Sequence, residues 1–159
     1  MAKVLLICGK ICSGKSTYAK QIQAAGRSVI LSVDEIMLAV FGLYAGEKHD
    51  EYAANVRHYL FQKSLELIHA EVDVILDWGF WTKAGRNEAK AFYRRRAIEC
   101  ELHYPDLGDA VWHAYINQRN QSVMAGETTA YIVDSALAAK FEARFEPPAK
   151  DEIDVWVNG

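Results

Sequence analysis

The chain has 159 residues, 51% of them hydrophobic and 25% charged, with a formal net charge of −3. That length and balance fit one domain with a sizeable core and exclude disordered and fibrous classes. The small negative charge offers no broad basic surface, so strong non-specific nucleic-acid binding is not expected, and no apolar run approaches the ~20 residues of a membrane span.

The first apolar run, Val4–Cys8, reads as a strand and begins almost at once, which leaves no room for a signal peptide and predicts a cytoplasmic protein. It is followed by Gly9-Lys10-Ile11-Cys12-Ser13-Gly14-Lys15-Ser16-Thr17 and then by a helical run from Tyr18. Strand, glycine-bordered loop and helix in that order make a phosphate receptor: consecutive backbone N–H groups face the anion, and the helix N-terminus adds partial positive charge. Gly9 and Gly14 remove side chains that would block the approach. Lys15 is expected to neutralise the β- and γ-phosphates, and the Ser16 hydroxyl to ligate Mg²⁺ bridging the same oxygens. The expected ligand is therefore ATP with Mg²⁺, held by Gly9 to Thr17.

Cys8, Cys12 and Cys100 are odd in number and show no metal-ligand spacing, which suits a reducing compartment. Cys8 and Cys100 read as buried small hydrophobes. Cys12, close to Lys15 and a helix N-terminus, is expected to be alkylatable and protected by bound ATP.

Gly26 ends the first helix, and Ser28–Val33 is a second short strand. Asp34 follows at its carboxyl end, where open α/β sheets keep their ligands. It reads either as a functional carboxylate or as the cap of the helix that runs to Gly42, and both can hold. Gly42 to His49 reads either as a pocket-lining segment or as a plain surface loop. Asp50 to about Ala70 carries apolar residues at helical spacing. Val72–Asp77 is a third strand whose terminal Asp77 has the form of a second nucleotide-binding element, holding Mg²⁺ directly or through water. Trp78, Phe80 and Trp81 come next, as acceptor-stacking rings or as core. Thr82 reads as the cap of a helix from Lys83 to Ile98, whose basic residues form a solvated face, with Arg86 the one placed near the site.

Glu99–Tyr104 is a fourth strand closed by Pro105-Asp106-Leu107-Gly108. Asp109 opens a helix reaching Arg119, and a polar Gly/Thr-rich stretch from Ser122 to Tyr131 precedes a helix over Asp134–Phe145. Ile153–Val157 is a fifth strand. Alternating strands and helices predict a three-layer α/β/α domain with a five-stranded parallel sheet, its polar features gathered at one edge.

Gly9 to Ser16, Asp34, Asp77 and the Arg119 region with its helical insert resemble the P-loop small-molecule kinases. The nearest pattern is the group of small ATP-binding proteins that includes chloramphenicol phosphotransferase, zeta toxin and the kinase domain of polynucleotide kinase. The stretches Leu76 to Trp81 and Arg144 to Pro148 match segments common in that group. The resemblance covers nearly the whole chain, as one domain over 1–159 with a helical lid at about 119–148. It implies ATP-dependent phosphoryl transfer to a hydroxyl of a small molecule, by a monomer or small homo-oligomer. On that resemblance Lys15, Asp34 and Arg119 are catalytic: phosphate neutraliser, base and lid arginine. Ser16 and Asp77 hold the metal, and Asp34, Trp78, Trp81 and Arg86 face the acceptor. A non-catalytic ATP-responsive module is the alternative. No arginine follows Asp34 closely, which disfavours a polynucleotide 5′-kinase, and the Asn-Lys-x-Asp tetrad of guanine-specific GTPases does not occur.

Overall fold

The five residues of β1 (Val4–Cys8) are all buried, and the rest of the sheet is assembled around them. In the computed structural model, which describes residues 1–10, 14–42, 46–106, 109–126 and 135–158, the chain runs β1, α1 (Lys15–Ala25), β2 (Ser28–Leu31), α2 (Val33–Phe41) and α3 (His49–His69). It continues with β3 (Asp73–Gly79), α4 (Lys83–Arg94), β4 (Cys100–Asp106), α5 (Asp109–Met124), α6 (Ser135–Arg144) and β5 (Val155–Asn158). The strands order as β2-β3-β1-β4-β5, and every pairing is parallel. This is the expected three-layer α/β/α fold.

Because side chains alternate along a strand, β1 feeds two cores at once. Leu5 and Ile7 join Ile75 under Ala19 and Ile22 of α1, while Val4, Leu6 and Cys8 join Val74 and Leu76 under Ile68 of α3 and Ala89 and Tyr93 of α4. A strand covered on both faces must be apolar throughout, which is why Val4–Cys8 reads as an unbroken hydrophobic run. The connections leaving β1 and β3 pass over opposite faces of the sheet, the topology that opens a ligand crevice at the strands' carboxyl ends.

Several boundaries differ from the sequence reading; α4 ends at Arg94, short of Ile98, and β5 is Val155–Asn158. β2 stops at Leu31 and Ser32 caps α2, its hydroxyl accepting from the Glu35 N–H at 3.2 Å, so Asp34 sits inside the first turn and is not the cap. β3 runs past Asp77 to Gly79, with a register shift against β1 between Leu6 and Cys8. β4 runs through Pro105 to Asp106; that end of the strand pairs with β5 only, so the absent proline N–H costs little. Thr82 caps α4 as its position predicts, accepting from the Gly85 N–H at 3.1 Å.

Candidate active site

The site is built from the ends of β1, β2 and β3. Gly14 has φ of +83°, a left-handed conformation that glycine adopts without strain, and its carbonyl accepts from the Tyr18 N–H at 2.9 Å as α1 starts. That turn delivers Lys15 and Ser16 to Asp77. The Ser16 hydroxyl donates to Asp77 Oδ2 at 2.9 Å, and Lys15 Nζ stands 3.6 Å from Oδ1. The Lys15 and Asp77 side chains are only 12% and 7% exposed, so their attraction is little screened by water. Asp77 meets them at an irregularity: Leu6 pairs with Leu76 but Cys8 pairs with Gly79, so β3 carries one extra residue there. Bulges of this kind re-aim side chains at sites.

Asp77 Oδ1 is buried and accepts no hydrogen bond from the described residues. A buried carboxylate oxygen without a donor, beside a serine hydroxyl, suits a hard divalent cation that takes oxygen ligands. Among the described residues no three His, Cys, Asp or Glu side chains converge, so Mg²⁺ held here would complete its shell with phosphate oxygens and water. Ser16 and Asp77 thus fit the metal that the sequence assigns to them.

Asp34 is exposed in the first turn of α2 and makes no hydrogen bond or ion pair with a described residue. Its neighbourhood is braced by Trp78, whose indole N–H donates to the Leu31 carbonyl at 3.0 Å and ties the end of β2 to β3 beside Asp77. The Trp78 ring meets the edge of Phe61 at 4.9 Å and stacks on Phe80 at 5.5 Å. Its donor and its ring are therefore engaged by the fold, which favours the core reading of this residue over acceptor stacking.

Trp81 is engaged as well. Its indole N–H donates to the Gly9 carbonyl at 3.0 Å, and its own carbonyl accepts from the Glu146 N–H at 2.7 Å. Arg86 departs furthest from the expectation of an acceptor contact, being 1% exposed. Its guanidinium donates to the carbonyls of Phe80 (2.9 Å) and Glu146 (2.8 Å) and pairs with Glu152 (3.0 Å). Burial pushes the Glu152 carboxyl up, but hydrogen bonds from Arg86 and the Ala149 N–H outweigh it and hold the group below its usual 4.5. Arg86 is a buried staple between α4 and the segment after α6; its distance along the sequence from Glu152 hides that role.

Lys10, in the loop's first half, reaches toward the C-terminal helices: its ammonium lies 4.6 Å from the centroid of Trp112 in α5 and 3.7 Å from Glu142 in α6. Trp112 and Ile116 are buried, and Arg119 is half-buried three residues on. Seven residues are almost two helical turns, so Arg119 shares the α5 face that Trp112 turns toward the loop. Ile11, Cys12 and Ser13 lie outside the described residues, as do Leu43 to Ala45 and residues 127–134, so the Cys12 expectation, part of the candidate pocket-lining segment and part of the expected lid lie outside them too. The other two cysteines are described: burial pushes the thiols of both Cys8 and Cys100 up to about 12, so they behave as inert hydrophobes.

A polar chain that the sequence reading does not foresee runs beneath α1. Tyr18 Oη and His103 Nδ1 are 2.7 Å apart, His103 Nε2 and Glu101 Oε2 are 2.9 Å apart, and Lys3 Nζ donates to Glu101 Oε1 at 2.9 Å. A carboxylate only accepts, so Nε2 carries a proton.

Residues 4–148 match the family model for an AAA domain. The chain belongs to that family. Solved structures agree on the fold, which is that of P-loop kinases. The sugar kinase of Janibacter sp. HTCC2649 superposes with a TM-score of 0.67 at 14% identity, over 99% of this chain and 86% of that one. Chaetomium thermophilum Kti12 in complex with ADP-AlF3 gives 0.69 at 15% identity, over 98% and 88%. The Mycobacterium tuberculosis APS kinase CysC in complex with AMPPNP and APS gives 0.62 at 16% identity, over 99% and 88%. No curated protein matches the chain in sequence. Among the described residues no helix is long and apolar enough to cross a membrane.

Proposed function

We propose that this AAA-family chain is a Mg²⁺-dependent phosphotransferase that moves the γ-phosphoryl group of ATP to a hydroxyl of a small molecule. The observation that carries the proposal is the joint grip of Lys15 and Ser16 on the buried Asp77 carboxylate, with the uncapped carboxylate of Asp34 at the end of the strand next to it. When ATP arrives, Lys15 exchanges Asp77 for phosphate oxygens and neutralises charge on the transferring group. Ser16 and Asp77 would hold Mg²⁺, which would supply Lewis-acid charge to the phosphate oxygens.

Asp34 accepts the proton of the acceptor hydroxyl and orients its oxygen for in-line attack. Arg119, on the loop-facing side of α5, closes over the γ-phosphate as part of a lid spanning about 119–148. Positioning and charge neutralisation supply most of the rate in such transfers, so few reacting side chains are needed. The solved relatives include proteins described as a sugar kinase and an APS kinase, which supports a small hydroxyl-bearing acceptor.

A second reading is a non-catalytic module in which ATP occupancy is passed to α5 and α6. The contacts of Lys10 with Trp112 and Glu142 favour it. A coupled ADP-release assay against a panel of hydroxyl compounds, with Asp34→Asn as control, separates the two. Acceptor-dependent release lost in the variant supports the kinase; nucleotide binding with no acceptor-stimulated release across the panel supports the module.

A further inference from the structure

Helix α1 begins with Lys15 and Ser16, yet little packing holds it to the sheet. Ala19 is its one buried residue, with Tyr18 and Ile22 packed beside it against Leu5, Ile7 and Ile75, and no side chain caps its first turn. Tyr18 also reaches sideways. Its hydroxyl lies 2.7 Å from Nδ1 of His103 in β4, and His103 Nε2 lies 2.9 Å from Glu101, whose other oxygen accepts from Lys3. Because the Glu101 carboxylate takes the proton-bearing Nε2, Nδ1 of the neutral imidazole only accepts, and the phenol donates. Burial, and then the charge of Glu101, raises the Tyr18 phenol above its ordinary 10.0, which keeps that donor protonated. His103 is itself buried, and both of its ring nitrogens are engaged, so the acceptor is fixed in place.

We propose that Tyr18 is a positioning residue for Lys15 and Ser16: its bond to His103 holds the first turn of α1 in place while Lys15 leaves Asp77 for the nucleotide's phosphates. That turn is a single unit. The Tyr18 N–H donates to the Gly14 carbonyl at 2.9 Å and closes the turn around Lys15, Ser16 and Thr17, so whatever fixes Tyr18 fixes them. The turn is also pinned on both sides of β1, because the strands order β3-β1-β4. On the β3 side lie the contacts of Ser16 (2.9 Å) and Lys15 (3.6 Å) with Asp77, and on the β4 side lies that of Tyr18 with His103. Exchange of partners at Asp77 uses neither Tyr18 nor His103. The β4 pin therefore carries over from the free to the bound protein, and a turn already held need not be ordered on binding.

The inference rests on the reading that the loop binds a nucleotide, and ADP with Mg²⁺ is the probe. Calorimetric titration compares the wild type with Tyr18→Phe, His103→Leu, the double variant and Ile22→Val. Tyr18→Phe keeps the ring and removes only the hydroxyl, whereas Ile22→Val loosens the same apolar seat without touching the bond. We expect Tyr18→Phe to weaken ADP by about threefold to tenfold, the loss of one hydrogen bond, and Ile22→Val to stay within about twofold. In the His103→Leu background, Tyr18→Phe should change affinity by less than about twofold, because the bond is already gone. Without nucleotide, the Lys15 and Ser16 amide resonances should shift in Tyr18→Phe and in His103→Leu and stay in place in Ile22→Val. Wild-type affinity in Tyr18→Phe overturns the inference. Equal weakening in Ile22→Val does so too, as does an undiminished effect of Tyr18→Phe in the His103→Leu background. No ADP binding by the folded wild type removes the nucleotide reading, and this inference with it.

Discussion

The Ser16 hydroxyl donates to Asp77 Oδ2 at 2.9 Å across 61 residues of sequence, while Lys15 Nζ lies 3.6 Å from the other oxygen of the same carboxylate. One buried acid thus gathers the two side chains expected to meet phosphate and metal. Replacing Asp77 by Asn leaves the Lys15 ammonium buried without its counter-charge. Breaking such a pair should cost about 3 kcal/mol, read from urea unfolding without nucleotide. It should also abolish the strengthening of ATP binding by Mg²⁺. An Asn variant whose ATP affinity still rises with Mg²⁺ would remove Asp77 from the metal site.

Ser32 and Asp34 have separate jobs in neighbouring positions, and paired substitutions should resolve them. Ser32→Ala removes the cap on α2 and should destabilise the protein by about 1 kcal/mol. Asp34→Asn removes no cap. It should leave the unfolding midpoint and ATP affinity near wild type while turnover falls by at least about a hundredfold, within the range for general-base catalysis. Turnover that survives in Asp34→Asn would assign the base elsewhere.

Gly79→Ala tests the turn behind the phosphate loop. The new Cβ would stand 2.5 Å from Trp81 Nε1 on a backbone with φ of +80°, so the indole must move off Gly9. The left-handed conformation alone should cost about 1–2 kcal/mol. Differential scanning calorimetry should show a lower melting temperature, and the folded variant should bind ADP more weakly than the wild type.

Arg86 is expected to matter for folding. Arg86→Met leaves Glu152 buried without its counter-charge and takes the guanidinium's hydrogen bonds from the carbonyls of Phe80 and Glu146, and unfolding free energy should fall by about 3–5 kcal/mol. Arg86→Lys should rescue little, because an ammonium cannot reproduce the planar fork that reaches Glu152, Phe80 and Glu146 together. Rescue to wild-type stability by lysine would mean that charge alone is what the position supplies.

The polar chain beneath α1 gives a pH dependence with a defined sign. Hydrogen bonding from His103, then from Lys3, holds the Glu101 carboxyl below its ordinary 4.5 against the opposing effect of burial. A carboxyl depressed in the folded state contributes stability that is present above about 4.5 and is lost as pH falls through the folded value. The melting temperatures of wild type and Glu101→Gln should therefore differ at neutral pH and draw together below about pH 4. A constant difference across that range would mean that the contact acts through packing.

Much of the fold was legible because it is local. The apolar runs of β1 and β3, the glycines at 9 and 14, the Thr82 cap and the alternation of strands with helices all announce themselves within a few residues. Lys15 and Ser16 were readable for the same reason, since the motif fixes their places, and Asp77 was readable as the acid that follows the apolar run of β3. What stayed hidden depends on partners far away in sequence. Trp78, Trp81 and Arg86 look alike beforehand, as large side chains next to a site, and only the tertiary structure shows their donors committed to Leu31, Gly9 and Glu152. The register shift at Asp77 and the passage of β4 through Pro105 are pairing effects, set by the neighbouring strand and invisible in either strand alone.

The staple between Arg86 and Glu152 has a consequence in time as well as in space. The ribosome makes the phosphate loop first, but the carboxylate that neutralises Arg86 is made 66 residues after it, and Glu146, which holds Trp81, 60 residues after Arg86. Until those residues emerge, the turn at Phe80 lacks part of its support. The foundation of the loop is therefore completed only when residues 60 and 66 positions beyond Arg86 have been made.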